Sequence, residues 1–157
     1  MPEIYRLFVP GKPFGKQSVR AGKTFAYMPK KTVDYLNFMK LLWIQKYGNK
    51  TLPHEAYQVD AYCCFIPPKS TSKKRRELML KGKILYTKKP DRDNIEKSIG
   101  DGLNGLAWSD DSYIVLGETA KVYREYQGVL IKITPIEEVS GVLLDEIDKE
   151  VELAEVK

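Results

Sequence analysis

Four aspartates flank one short amphipathic segment of the chain. Asp91 and Asp93 lie at its beginning, and Asp110 and Asp111 follow it after a short connection. Carboxylates without histidine or cysteine favour a hard cation, and Mg²⁺ usually takes carboxylates together with phosphate oxygens of a substrate. Mg²⁺ held against a phosphodiester activates water, polarises the phosphoryl oxygen and stabilises the leaving alkoxide. The pattern therefore indicates metal-assisted phosphodiester chemistry.

The segment between the two pairs of aspartates is predicted to be a helix over Asp93–Leu103, because its apolar residues recur at helical spacing. Such a helix is about 16 Å long at roughly 1.5 Å per residue. The chain from Asn104 to Asp111 can span about 23 Å at roughly 3.3 Å per residue. We therefore expect that Asp111 can return to the N-terminal end of the helix, beside Asp91.

Each residue of this group also has a purely structural interpretation. Asp93 and Glu96 fit a capping box, and residues 110–112 fit an ordinary turn before a strand. Lys97 lies one turn beyond Asp93 on the same helix face, where its ammonium could steady that carboxylate or a transition-state phosphate. It could equally form a surface ion pair with Asp93 or Asp101. The combination of these residues with a basic chain favours a catalytic role over the structural interpretations.

Composition narrows the function classes. A chain of 157 residues that is 43% hydrophobic and 30% charged is typical of one folded domain. His54 is the one histidine of the chain, which argues against histidine-based catalysis. Cys63 and Cys64 are adjacent, which argues against a cysteine metal site and a disulfide framework. Adjacent cysteines in a strand point to opposite faces, and we expect both to be reduced. Without an apolar span or signal core, we expect a cytoplasmic protein with no membrane partner. We also expect no small-molecule cofactor.

Charge is divided unevenly along the chain. Residues 137–157 carry eight acids and two bases, whereas residues 1–136 carry 24 bases and 13 acids. Residues 6–31 have seven bases and no acid, and residues 69–89 have nine bases and one acid. Either run could be an ordinary solvated surface. Two such runs together favour a polyphosphate partner, and nucleic acid is the natural one.

The hydrophobic patterns predict an α+β layer fold, with a small mixed sheet and helices packed on it. The acidic tail, residues 137–157, has helix-compatible spacing and could pack as a terminal helix, cap a partner subunit or fray. Residues 10–29 are predicted to be a long loop. The predicted strands are Ile4–Val9, Tyr57–Phe65, Ser112–Val122 and Val129–Thr134, the last two joined around Tyr126-Gln127-Gly128, and the further predicted helices are Thr32 to Gly48-Asn49 and Ser72–Leu80.

The carboxylate segment resembles the signature of the RusA family of Holliday junction resolvases, small endodeoxyribonucleases common in phages and prophages. The agreement covers Asp91-x-Asp93-Asn94-x-x-Lys97, Asp101-x-Leu103-Asn104 and Trp108-x-Asp110-Asp111-Ser112. Weaker agreement includes Val9-Pro10-Gly11-Lys12-Pro13 and the helix around Val33–Leu42, so that a nuclease domain would occupy residues 1–136. The connection to the Asp-Asp pair is about one residue shorter than the family form, and the acidic tail has no family counterpart.

The resemblance implies a RusA-like homodimer that binds a four-way DNA junction. With Mg²⁺, or Mn²⁺ as a substitute, it would make paired nicks in opposing strands during recombination and repair. A two-fold symmetric substrate is matched by two identical sites. The family's metal-binding aspartates fall on Asp91, Asp93 and Asp111, with Asp110 as a further candidate, and its essential lysine falls on Lys97. Asp91, Asp93, Asp111 and Lys97 would be the catalytic residues.

DNA contact is expected mainly from the basic runs. The candidates are Lys12, Lys16, Arg20, Lys23, Lys73, Lys74, Arg75 and Arg76. Phe14, Phe25 or Tyr27 could stack on unpaired bases at the crossover, or belong to the core. Two rival functions stay open: a non-catalytic DNA-binding recombination accessory protein, and a nuclease for other branched DNA such as a flap.

Overall fold

A computed structural model describes residues 3–15, 20–21 and 26–155, the four strand residues 20, 21, 26 and 27 by backbone only. It confirms the α+β class. The elements in chain order are β1 (Tyr5–Pro10), β2 (Arg20–Ala21), β3 (Ala26–Tyr27), α1 (Lys30–Tyr47), β4 (Tyr57–Phe65), α2 (Lys73–Leu80), α3 (Arg92–Gly102), β5 (Ile114–Leu116), β6 (Thr119–Tyr123), β7 (Gly128–Pro135) and α4 (Gly141–Glu155), with a 3₁₀ turn at Asp111–Tyr113.

The main sheet is mixed and has five strands. Its order is β1-β7-β4, with β5 and β6 both pairing with the far edge of β4. β7 runs antiparallel to β1 and β4, whereas β5 and β6 run parallel to β4. Val129, Ile131 and Ile133 share the buried face of β7, as their alternation predicts. The core lies between this face and the helices α1 and α3, which also pack on each other.

The stretch predicted as one strand, Ser112–Val122, is two strands separated at Gly117 and Glu118. Gly117 has a φ of +148°, and a Cβ there would lie 1.8 Å from the Val59 carbonyl oxygen, so that this approach to β4 requires glycine. The chain does pass from β6 to β7 around Gly128, but the two strands do not pair. They lie on opposite sides of β4, because β6 pairs with β4 in parallel after a crossover connection. The alternation of apolar and polar residues does not predict such a connection.

The helices match the predicted ones closely at their ends. α1 begins two residues before Thr32, directly after Pro29, whose fixed φ suits a helix beginning. The Ser72 hydroxyl accepts the Arg75 N–H at 3.3 Å and caps α2. The long-loop prediction for residues 10–29 was wrong in part, since β2 and β3 pair there as a short antiparallel ladder.

Both cysteines on β4 are buried with free thiols, as predicted. Burial raises the pKa of the Cys63 thiol to about 12. The acidic tail forms the helix α4, which buries none of its side chains. No helix in the described ranges is long and apolar enough to cross a membrane.

Candidate active site

Two of the candidate aspartates lie at the N-terminal end of α3. Asp91 occupies the N-cap position but makes no side-chain capping bond, and Asp93 lies in the first turn. The capping-box interpretation of Asp93 is therefore wrong, since the residue is inside the helix. The side chains of Asp91 and Asp93 are 50% and 66% exposed. Both carboxylates are accessible to an ion or a phosphate.

A lysine neutralises Asp91 directly. The Lys89 Nζ lies 2.9 Å from both carboxylate oxygens of Asp91. These hydrogen bonds, with the nearby charges of Lys89 and Lys121, hold the pKa of the Asp91 carboxyl below its usual range. Asp91 therefore stays ionised over a wider pH range than an isolated aspartate.

Lys97 is the second lysine of the site. Its Nζ lies 3.7 Å from Asp93 Oδ2, one turn along α3. Of the two ion pairs that the sequence allowed, the structure contains the one with Asp93. Both side chains are more than 60% exposed, so the pair is weak and Lys97 is free to turn towards a bound phosphate.

Asp111 lies against the same helix. It lies further from the N-terminal end of α3 than the length of the connection from Asn104 allowed us to expect. Its Oδ2 is 3.5 Å from the position of a Cβ built on Gly100, seven residues after Asp93 and thus about 10 Å along the helix axis. The chain does not return to the N-terminal end because Trp108 is fully buried and its Nε1 donates to the Gly100 carbonyl at 3.2 Å. Lys97 falls between Asp93 and Asp111 along α3.

Asp110 faces its own turn instead. Its carboxylate accepts a hydrogen bond from the Ser112 hydroxyl, which holds the pKa of Asp110 below its usual range. The turn interpretation of residues 110–112 thus holds for the backbone, which forms the 3₁₀ turn before β5. Asp111 is the member of the pair that meets α3.

The donors match a magnesium ion in kind. No group of three or more histidine, cysteine, aspartate or glutamate side chains within the described residues is close enough to hold a metal ion. Mg²⁺, however, keeps several waters and is often bound by one or two carboxylates plus substrate phosphates. Asp91 and Asp93 are exposed at one end of α3 and could supply the one or two carboxylates that Mg²⁺ needs.

Glu96 is a carboxylate that the sequence analysis considered only as a capping partner. It lies on the same α3 face as Asp93 and Gly100, at spacings of three and four residues. It also lines a cleft of mostly apolar residues between α3 and the β5–β6 edge, with Ile99, Ile114 and Thr119 among the others. Its position three residues after Asp93, on the same helix face, could have identified Glu96 as a further candidate site residue.

Lys121 on β6 holds the segment that leads into Asp91. Its Nζ donates to the carbonyl oxygens of Lys88 at 2.8 Å and Pro90 at 3.1 Å. The same segment is anchored by Tyr86, whose ring stacks on Phe65 with centroids 3.7 Å apart. Nothing in the local sequence marks Lys121, because its partners are about 30 residues away.

The segment after β1 packs on the beginning of α3. The Ser98 Oγ lies 3.4 Å from the Phe14 carbonyl oxygen and 3.0 Å from that of Asn94, and a Cβ on Gly15 would lie 2.8 Å from the Pro90 Cβ. Lys12 and Lys89 line one shallow cleft here. A candidate DNA-binding lysine thus lies close to the carboxylates. The Phe14 ring packs on Tyr35 with centroids 5.4 Å apart, which favours its core role over base stacking.

The remaining candidates divide by position. Lys73, Lys74 and Arg75 are exposed on α2, and Arg76 is half-buried. Lys16, Lys23 and Phe25 lie outside the described residues, and Arg20 and Tyr27 are described by backbone only. The basic surface near the site consequently includes Lys12 and Lys89, and the basic helix α2 precedes the Asp91 segment in the chain.

An α+β domain with exposed carboxylates along one helix, beside basic surface, has the features of a metal-assisted DNA nuclease. The family described as Endodeoxyribonuclease RusA matches residues 10–134. The chain therefore belongs to the RusA endodeoxyribonuclease family, as the signature indicated. It is also 33% identical over 128 residues to the "Uncharacterized protein YqaN" of Bacillus subtilis (strain 168), covering 80% of this chain and 88% of that protein. Family membership supports a nuclease over the non-catalytic alternative.

Proposed function

We propose that this chain is a Mg²⁺-dependent Holliday junction resolvase that acts as a homodimer and makes paired, symmetric nicks during DNA recombination and repair. The observation that carries the proposal is the charged face of α3 in a RusA-family chain. Along that face lie Asp93, then Lys97, then Asp111 against Gly100, with Asp91 at the helix beginning.

The roles follow from these positions. Asp91 and Asp93 would hold Mg²⁺. Asp111, which lies further along α3, and Asp110, whose carboxylate accepts from Ser112, are proposed as further carboxylates that would have to move to contact the same ion. When bound, Mg²⁺ supplies charge neutralisation and an activated water for attack on the phosphodiester. Lys97 lies between two carboxylates, where its ammonium can balance the charge that develops on the phosphate. Lys89 keeps Asp91 ionised until a stronger cation competes for it.

One apolar row on an otherwise mixed face of the sheet supports the homodimer. Phe8, Leu130 and Tyr62 form one cross-strand row on the face opposite α1 and α3. Phe8 and Val122 are exposed on that face, with Tyr126 beside Phe8. Exposed apolar patches of this kind mark protein contacts. A second copy packed there would provide the two-fold symmetry that paired nicks require.

Cleavage of matched substrates tests the proposal. The purified protein is incubated with a synthetic four-way junction, a flap and a linear duplex that share one sequence, each with Mg²⁺, with Mn²⁺ or with EDTA. The proposal predicts symmetric, ligatable nicks in the junction and none with EDTA. Preferred cutting of the flap would indicate a nuclease for other branched DNA. Salt-sensitive binding without any metal-dependent nick would indicate an accessory protein.

A further inference from the structure

Helix α4 presents an apolar stripe to solvent. Leu144, Ile147, Val151 and Ala154 repeat at alternating spacings of three and four residues along one face. Ile147 is 47% exposed and Val151 is 50% exposed, and α4 buries no side chain. A stripe of this width is normally covered by another surface.

The flanks of the stripe restrict what can cover it. α4 contains six acids and one base, and the acids adjoin the stripe on both sides, with Glu150 on one side and Asp148 and Glu155 on the other. Two α4 helices paired along their stripes would bring these carboxylates against each other, which destabilises a helix pair. The stripe therefore fits an apolar surface with basic flanks, and it does not fit a second α4.

Residues 66–89 form a surface that is both apolar and basic, and we call it the α2 surface. It carries nine bases and one acid between Lys69 and Lys89. It also exposes three apolar side chains, Ile66, Leu78 and Leu85, the last to 72%. The outer side of α1 exposes apolar residues too, but α1 has only four bases and one acid. Charge complementarity favours the α2 surface.

Chain geometry indicates that the α2 surface of a second copy is the partner. β7 ends at Pro135 beside Tyr57, the first residue of β4, whereas α2 follows Phe65, the last residue of β4. The nine residues of β4 extend over about 26 Å at roughly 3.3 Å per residue. The link from Pro135 to Gly141 has six Cα–Cα steps and spans at most about 20 Å at roughly 3.3 Å per step. It is shorter than β4, so the beginning of α4 cannot reach its own α2, and the whole stripe cannot lie there.

We propose that α4 of one copy docks on the α2 surface of a second copy, with Ile147 and Val151 against Leu78 and Leu85. Lys73, Lys74 and Arg75 belong to the same surface and are candidate DNA-binding residues, so a docked α4 competes with DNA for it. The contact needs two copies of the chain, but it does not need the cleavage chemistry of the proposed function. Its failure would leave the nuclease proposal standing.

Cross-linking between two differently tagged chains tests the contact. One chain carries Leu78→Cys and the other carries Ile147→Cys, while native Cys63 and Cys64 are buried. Under mild oxidation we expect a mixed disulfide at least fivefold more abundant than with Phe38→Cys in place of Leu78→Cys. Phe38 on α1 is a matched control, because it is 39% exposed and Leu78 is 37% exposed. Equal cross-linking of the two partners would overturn the proposal.

Two further arms sharpen the test. Glu150→Lys in the Ile147→Cys chain should lower the cross-link yield severalfold, whereas Asp145→Lys, on the side of α4 away from the stripe, should leave it unchanged. Added duplex DNA should also lower the yield. Equal effects of the two charge reversals, or a disulfide formed within a single chain that carries both cysteines, would overturn the proposal.

Discussion

Two candidate metal ligands are each paired with a lysine. Lys89 lies 2.9 Å from both carboxylate oxygens of Asp91, and Lys97 lies 3.7 Å from Asp93. An ammonium reduces the repulsion between neighbouring carboxylates, as a divalent cation would. A cation bound as proposed would therefore compete with the lysines, and the two ammonium groups would become available to phosphates.

This competition predicts the titration of Asp91. Lys89→Met removes the hydrogen bonds that lower the pKa of Asp91, so the carboxyl should titrate at higher pH and be protonated over a wider acidic range. Carboxyl-carbon NMR titration measures the shift. Lys81→Met is the matched control, because Lys81 pairs with Glu77 on α2 and its loss should raise the pKa of Glu77 alone. An unmoved Asp91 titration in Lys89→Met would contradict the role given to Lys89.

Residue types, spacing and the family resemblance predicted the aspartates and Lys97 as site residues, and their roles stay a prediction. They could not give the pairing of Asp91 with Lys89, since two-residue spacing at a helix beginning permits many orientations. Nor could they select Lys121, whose partners Lys88 and Pro90 are distant in sequence. The position of Asp111 depended on the burial of Trp108, which only the assembled core determines.

At the scale of elements, the bounds that depend on a local pattern were predicted well, and those that depend on tertiary pairing were not. α3 was predicted to within one residue at each end, because its apolar period is local. The division of Ser112–Val122 into β5 and β6 was not predicted, because it depends on Gly117 meeting the Val59 carbonyl of another strand. The order of strands around β4 is likewise a property of the whole sheet.

The attachment of the Asp91 segment to β6 can be tested by stability. Lys121→Met should lower the free energy of unfolding by about 1–3 kcal/mol, because the carbonyl oxygens of Lys88 and Pro90 lose their charged donor. Urea unfolding followed by tryptophan fluorescence measures this change. Lys50→Met, at an exposed lysine just after α1, is the control and should change stability by less than about 0.5 kcal/mol. Equal stability of Lys121→Met and the native chain would show that β6 does not hold the segment.

At the scale of the whole molecule, charge is separated between a basic body and an acidic helix. Residues 1–136 hold 24 bases and 13 acids, while α4 holds six acids and one base. Long-range attraction to DNA follows from the body, and α4 opposes it. This separation was visible in the sequence, whereas the exposure of the α4 stripe required the structure.

The basic helix α2 should contribute to DNA affinity in a salt-dependent way. Replacing Lys73 and Lys74 with alanine should reduce the slope of log K against log salt by about 1.8, if each lysine neutralises one phosphate. Fluorescence anisotropy of a labelled junction at several salt concentrations gives the slope. Lys40→Ala/Lys50→Ala, at α1 and just after it, serves as the control and should leave the slope unchanged. An unchanged slope in the α2 variant would remove α2 from the DNA interface.

The most direct test of the proposed site measures cleavage and binding together in Asp93→Asn. With Mg²⁺ and a four-way junction, we expect the single-turnover cleavage rate to fall at least 100-fold while junction affinity is unchanged or increases, because the variant loses a metal-binding carboxylate and one negative charge facing DNA. Asp34→Asn, an exposed carboxylate on α1, should retain both properties. Native cleavage by Asp93→Asn, or a loss of binding as large as the loss of cleavage, would contradict the catalytic role of the α3 carboxylates.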